Sequence, residues 1–357
     1  MMASETSAYK RLKTSTPPLI GTHNGHFHAD EALAVYLLRL LPTYTPSTLV
    51  RTRDPALLKT CHTVVDVGGE YSPSSHRYDH HQRDFTTTFP AHTTKLSSAG
   101  LVYMHFGKAI IAQRTGLAEG SEGVDVLYEK LYSDFVEALD AHDNGISVYD
   151  AKDTASLRKR FNDSGINLGS LVGDLNNDWS ETPSSSSTPS ADEAQQQEDT
   201  RFLEASRLMG TTFLRKLNSA HKGWLPARSV VHTAFTARKE YDAHGHILVL
   251  PQSLPWKDHL YTFESAQSTP ENEQVLYVLY PEGSNEGARW RIQAVGVSGD
   301  SFASRKALPE AWRGVRDEEL DKVTSIDGCV FVHASGFIGG NKSFKGAMAM
   351  ARKAVEM

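Results

Sequence analysis

The sequence predicts an α/β protein. A parallel sheet with helices on both faces forms its first half, and a smaller mixed-sheet α/β domain forms its second. Three observations carry this. Short β-branched runs alternate with stretches of helical apolar spacing through the first 66 residues. After about residue 224 the pattern changes to closely spaced strands separated by glycine-bearing turns. The length, 357 residues, is enough for two domains that each bury a core.

Residues 18–22 read as a short buried strand and 23–30 as a loop with Gly25 inside it. Leu33, Leu37, Leu40 and Leu41 recur at helical spacing until Pro42 ends the helix. Residues 48–52 form a second strand. Asp54-Pro55 opens a short helix, with Asp as cap and Pro in the first turn. A third strand runs into Asp66. This β-α-β-α-β order predicts a parallel sheet with right-handed crossovers. Ligands gather beyond the carboxyl ends of such strands, which groups His23, after the first strand, with Asp66, at the end of the third.

Residues 97–113 and 124–141 read as helices, the second running out into Asp140-Ala141-His142-Asp143-Asn144-Gly145, where Asn-Gly stops it. Residues 174–200 are of low complexity, with a run of serines at 184–187, and have little to bury. Residues 202–217 read as a bridging helix. Strands are expected at 229–233, 247–250, 275–280 and 290–295, then the segment 331–340 and a helix from 343 onward. The domain plan is a disordered tail (1–17), a first α/β domain (18–175), a low-complexity insertion (176–200), a bridging helix (201–223) and a second domain (224–357), with a cleft between the two domains.

The net charge of −6 argues against a strongly basic nucleic-acid coat. No apolar run is long enough to cross a bilayer. Cys61 and Cys329 sit in apolar surroundings and read as buried free thiols, which fits a reducing compartment.

The chemistry concentrates in His23, His28, Asp30, Asp66, Asp79, His80, His81, Asp140 and Asp143. Imidazoles and carboxylates at strand ends suit divalent ions such as Mn, Mg, Fe or Zn. Two such ions roughly 3.5–4 Å apart orient and acidify a water and clamp a phosphoryl group. Asp66 is the natural bridge between them, because a strand end is rigid and central. Asp140 and Asp143 are three apart and can face one side; Asp143 is favoured, because Asn-Gly holds it in a turn. Other histidines, including His26, His62, His76, His92 and His105, read as solvent, turn or core residues.

Asp79-His80-His81 resembles the signature of the DHH phosphoesterase superfamily, which includes RecJ-type exonucleases, exopolyphosphatases and manganese pyrophosphatases. Longer strings are similar to one branch, the Myg (melanocyte proliferating gene) family: Gly21-Thr22-His23, Phe27-His28-Ala29-Asp30-Glu31-Ala32-Leu33-Ala34, Val65-Asp66-Val67-Gly68-Gly69, His76 through Arg83, Ala141 through Gly145, Leu254-Pro255-Trp256-Lys257, and Phe331 through Gly340. The likeness covers residues 18–357 apart from 176–200. It departs from the superfamily pattern at His28, where Asp is usual, with one extra residue of spacing.

The resemblance implies a Mn2+- or Mg2+-dependent phosphodiesterase with two ions. It further implies a 3′→5′ exonuclease acting on single-stranded RNA, placed in nucleus and mitochondrion. Carried over by position, His23, His28 and Asp66 hold one ion. Asp30, Asp66, His80 and the aspartate of the 140–143 turn hold the other. His81 faces the scissile phosphate, and Asp79 orients its neighbours. In the second half, His333, Ser335, Gly336, Gly339, Gly340 and Lys342 are the expected grip on the substrate, as a glycine-rich loop whose bare N–H groups approach phosphate. Trp256, Lys257, Arg289 and Arg291 are weaker candidates for substrate contact. Two other functions fit the residues: a phosphoesterase of dinucleotides, pyrophosphate or polyphosphate, favoured by the acidic charge, and a metal-stabilised RNA-binding regulator without turnover.

Overall fold

A computed structural model describes residues 17–178, 180, 190–299 and 301–357. Residues 1–16 of the expected N-terminal tail and the serine run at 184–187 lie outside the described residues. The chain divides into two compact units, Met1–Ala220 and His221–Met357. No described helix is long and apolar enough to cross a membrane.

Unit 1 starts with strand β1 (Leu19–Thr22), helix α1 (Ala29–Arg39), strand β2 (Thr48–Arg51), short helix α2 (Pro55–Leu58) and strand β3 (Thr63–Val65). Asp54 caps α2 by accepting from the Ala56 N–H at 2.8 Å. Strands β4 (Tyr71–Ser72) and β5 (Arg77–Tyr78) follow. The sheet order is β2-β1-β3-β5-β4. Pairs β1/β2, β1/β3 and β3/β5 are parallel. The expected parallel sheet is therefore mostly parallel, with one difference: β4 pairs antiparallel with β5, because the chain turns back between them at Pro73–Ser75. Such a two-residue edge strand carries no hydrophobic pattern from which it can be read. Leu58, Cys61 and Val64 form a small cluster with Leu19 and Val50, and both cysteines are free and buried.

Helix α3 spans Ser98–Thr115. The next expected helix is interrupted: α4 (Glu122–Leu131) passes through a π-helical stretch (Tyr132–Val136) into α5 (Glu137–Asp143). Asp140 explains what this geometry accomplishes. Its Oδ1 accepts from the Ser97 N–H at 2.9 Å, the Ser97 hydroxyl at 2.7 Å and the Gly100 N–H at 3.0 Å. Its Oδ2 accepts from the Tyr132 hydroxyl at 3.0 Å. The carboxylate is fully buried and clamps the start of α3 to α5. Gly100 makes room for it: a Cβ there would lie 2.3 Å from Asp140 Oδ2. Burial pushes the Asp140 pKa up to about 7, against the pull of its four donors.

Short helices α6 (Ala151–Thr154) and α7 (Leu168–Gly173) lead to the long helix α8 (Ala191–Ser219). Ser190 caps α8 in a reciprocal box with Glu193. The helix thus begins inside the low-complexity segment, and it lies within unit 1. It packs against α1, and Gly210 permits that approach: a Cβ there would sit 2.0 Å from the Tyr36 ring.

Unit 2 opens with helix α9 (Leu225–Ala237). The strand expected at 229–233 is therefore a helix. Val230 and Val231 look like strand, but burial falls on Ala227, Val231, Ala234 and Phe235, a helical stripe. Strand β6 (Ile247–Val249), helix α10 (Lys257–Ala266), strands β7 (Tyr277–Pro281) and β8 (Trp290–Ala294), helix α11 (Asp317–Thr324), strands β9 (Cys329–Val332) and β10 (Ile338–Asn341) and helix α12 (Phe344–Glu356) complete it. The mixed sheet has the order β6-β7-β8-β10-β9. One face packs Tyr277, Leu279, Ile292 and Trp312 with Met350; the other packs Val278 and Leu248 with Phe235 and Leu260.

Two stability predictions follow from these contacts. Asp140→Ala leaves four buried donors without an acceptor and lowers unfolding free energy by about 3 kcal/mol or more, whereas Asp140→Asn, which keeps an acceptor oxygen, costs only about 1 kcal/mol; urea titration distinguishes them. Gly210→Ala gains about 1 kcal/mol of helix propensity yet destabilises the chain, and Tyr36→Ala in the same chain restores the loss, measurable as a double-mutant cycle.

Candidate metal centre

The site is built where β1 and β3 end and α1 begins, as parallel-sheet geometry dictates. His23 follows β1 directly. Its Nδ1 lies 3.2 Å from the Asn24 carbonyl oxygen. Its Nε2 faces two carboxylates, Glu31 Oε1 at 3.2 Å and Asp66 Oδ2 at 3.2 Å. Asp66 follows β3 with φ +60°, a left-handed conformation that Asp tolerates better than most residues. Its other oxygen, Oδ1, lies 3.3 Å from His80 Nε2 and accepts from the Ser98 hydroxyl at 3.1 Å. One carboxylate thus turns a different oxygen toward each of two histidines. His80 Nε2 is also 3.0 Å from Asp143 Oδ2, yet neither ring nitrogen of His80 makes a hydrogen bond.

Asp30 is 1 % exposed, and both its carboxylate oxygens are buried without a hydrogen-bond partner. An unpaired buried carboxylate is costly unless a cation meets it. The electrostatics say the same. Burial raises the Asp30 pKa well above the carboxylate range, and Asp66 and Asp143 reinforce this. Burial works against charge on His23, but Asp66 and Glu31 raise its pKa to about 10. His80, likewise opposed by burial, is raised by Asp143 and Asp66 to about 9. Asp66 is held below the usual range despite its burial, by His23 and His80. A cation between these groups, whether proton or metal, is what the arrangement asks for.

Among the described residues, three clusters have donor atoms close enough to share an ion: His23, His28, Glu31 and Asp66; Asp66, His80 and His81; and His28, Asp30 and Asp143. The residues present fit divalent ions, with Asp66 common to two clusters.

Asp79 organises the following loop. Its Oδ1 accepts from the His80 N–H at 2.7 Å and the His81 N–H at 3.2 Å, and lies 2.7 Å from His81 Nδ1. Its Oδ2 accepts from the Gly69 N–H at 2.6 Å. His81 itself is 61 % exposed at the side chain, and the Asp79 carboxylate raises its pKa. Of the two expected aspartates, Asp143 reaches His80, while Asp140 is spent on Ser97, Gly100 and Tyr132. A cavity of about 800 Å³ opens over the cluster, with Arg53, Lys95, His26 and His142 among its lining.

Several residues that hold this site were not found from the sequence. Arg51, in β2, donates to the His23 carbonyl at 3.1 Å and the Gly25 carbonyl at 2.7 Å. It pairs with Glu198 of α8 at 2.7 Å, and Glu198 also accepts from the Gly25 N–H at 2.6 Å. The Asn176 side chain accepts from the Phe27 N–H at 2.9 Å and donates to the Phe27 carbonyl at 3.0 Å. The 23–28 loop is therefore pinned by a segment whose sequence looks inert. Hydrogen-bonding side chains within it were the only available signal.

The expected substrate residues lie in unit 2. His333 Nδ1 is 2.9 Å from the Ser335 hydroxyl, and Ser335 N–H points at the same nitrogen at 3.2 Å. Gly336 adopts φ +74° in the turn. Gly339 and Gly340 are not in a loop, as expected, but in β10, paired on both sides. The reason is space: a Cβ on Gly340 would meet the Arg291 guanidinium at 3.0 Å and the Trp290 carbonyl at 3.1 Å. Arg291 lies over the Phe331 ring, 4.7 Å from its centroid, and pairs with Glu282. Lys342 begins the turn into α12, its N–H bonded to the Gly328 carbonyl at 2.8 Å.

Residues 19–355 match the MYG1_exonuc family model, described as an uncharacterised protein family (UPF0160). The chain is 46% identical over 349 residues to a Homo sapiens protein named MYG1 exonuclease, covering 96% of this chain and 87% of the relative. It is 44% identical to the MYG1 protein of Dictyostelium discoideum (94% of this chain, 95% of the relative) and 40% identical to that of Saccharomyces cerevisiae (96% and 97%). On this evidence the chain belongs to the MYG1 family.

Proposed function

We propose that this chain is a divalent-metal-dependent phosphodiesterase that removes nucleotides from single-stranded RNA in the 3′→5′ direction. The observation that carries the chemistry is the shared carboxylate: Asp66 presents Oδ2 to His23 and Oδ1 to His80, next to a buried Asp30 that has no hydrogen-bond partner. The exonuclease name of the human relative and the resemblance of the Asp-His-His loop support the nucleic-acid substrate. RNA, the direction and nuclear and mitochondrial placement rest on that resemblance.

A pair of Mn2+ or Mg2+ ions, when bound, would supply Lewis-acid polarisation of a phosphoryl group and acidify a water. His23, His28 and Asp66 would hold one; Asp30, Asp66, His80 and Asp143 the other. The chain's own part is positioning. Asp79 fixes His81 through Nδ1, which leaves Nε2 to meet a phosphate oxygen. Asp79 also raises the His81 pKa, so a proton on Nε2, which would donate to an anion, is held more readily than on a free imidazole. The second-half set, His333, Ser335, Gly336 and Lys342, is proposed to contact substrate. Gly339 and Gly340 act there by shape, leaving space for Arg291. The net charge of −6 favours a short substrate as the second reading.

The test is Mn2+-dependent release of mononucleotides from end-labelled single-stranded RNA. Asp66→Asn abolishes release, and Asp79→Asn lowers it about 10–100-fold. Full activity in Asp66→Asn with an intact circular dichroism spectrum would reject the proposal. Turnover that rises as the strand shortens to a dinucleotide would replace it with the short-substrate reading.

A further inference from the structure

We infer that Glu31 is a direct ligand of the first ion, so that His23, His28, Glu31 and Asp66 form one site of two imidazoles and two carboxylates. This rests on the metal-dependent reading above and adds a residue to it. Glu31 stands at the third position of α1, where an acid ordinarily caps the helix. It does cap: its Oε1 accepts from the His28 N–H at 2.7 Å. Yet Glu31 is 0 % exposed, and its second oxygen, Oε2, is buried without any hydrogen-bond partner. A helix cap needs one oxygen, and nothing about it requires burying the other.

The histidine geometry supplies the independent observation. The Asn24 carbonyl can only accept, so its contact with His23 Nδ1 puts the ring proton there in the neutral tautomer. Nε2 then carries a lone pair, and it faces Glu31 Oε1 and Asp66 Oδ2, each at 3.2 Å. In the neutral ring three electron-rich atoms converge on one place, which either a proton on Nε2 or a metal ion can fill. A ring nitrogen oriented by a carbonyl on its other side is the arrangement of a metal-ligating histidine. Donor atoms of His23, His28, Glu31 and Asp66 lie within 4.8 Å of one another. Two imidazoles favour a first-row transition ion over Mg2+, so the inferred set selects Mn2+-like ions at this position.

Glu31→Gln is the informative variant. The amide keeps an oxygen for the His28 N–H but removes the carboxylate charge, and a neutral amide oxygen holds a divalent ion far more weakly. Mn2+ titration of the full chain, by calorimetry and by the electron paramagnetic resonance of free Mn2+, gives two tight sites in the wild type and one in Glu31→Gln. Each protein's Mn2+-induced rise in melting temperature, read against its own EDTA-treated state, falls in parallel, which cancels any cost to the helix cap. Two sites in Glu31→Gln, with affinity within about 10–100-fold of wild type as expected for a merely orienting partner, would overturn the assignment of Glu31 alone. Absence of Mn2+ binding by the wild type would overturn the metal reading itself. Glu31→Ala removes cap and ligand together: if it also binds two ions, the assignment fails whatever the amide does.

Discussion

The structure turns on a carboxylate shared between two histidines. Asp66 can do this because β3 stops one residue before it and the backbone enters the left-handed region, which swings the side chain across the sheet edge. A residue held there costs on the order of 1–3 kcal/mol. The surroundings hold it in place: the Ser98 hydroxyl donates to Oδ1, and the Asp66 N–H bonds the Tyr78 carbonyl at 3.2 Å. Strain of this kind persists where neighbouring structure over-determines it, and the neighbours here are the start of α3 and strand β5.

The rest of unit 1 can be understood as support for that point. Asp140 fixes the start of α3 from below, which places Ser98. Arg51, Glu198 and Asn176 fix the loop after β1, which places His23 and His28. Asp79 fixes the loop after β5, which places His80 and His81. Each support is a buried or half-buried polar group held by hydrogen bonds or, at Arg51 Nη1, by its ion pair with Glu198. The ligating atoms are the opposite: Asp30, one oxygen of Glu31 and both nitrogens of His80 are buried with none. Satisfied scaffolding around unsatisfied donors is the signature of a site built for a cation, since buried polar groups otherwise find partners.

Much of this was legible in the sequence, because the relevant signals are local. The β-α-β-α-β pattern, the cap at Asp54, and the placement of His23 and Asp66 beyond strand ends all come from neighbouring residues. What could not be read is long-range or disguised. Asn176 meets Phe27 across 149 positions and Glu198 meets Gly25 across 173; no periodicity encodes such pairs. Glu31 resembles an ordinary helix-starting acid, and only its burial reveals otherwise. Asp140 and Asp143 are equivalent by spacing, and only the packing of α5 shows that Asp140 turns toward Ser97 and Asp143 toward His80. Gly339-Gly340 read as a loop because glycine usually breaks strands; here the missing side chain admits Arg291. The valines of α9 favoured a strand locally, and packing overrode them.

The most direct measurement is anomalous diffraction from crystals of the full chain soaked in Mn2+. The account predicts two peaks flanking Asp66 about 3.5–4 Å apart, one beside His23 and one beside His80, with each Asp66 oxygen directed at a different peak. A well-ordered site with no peak, in which His23 and His80 are simply ion-paired to Asp66, would contradict it.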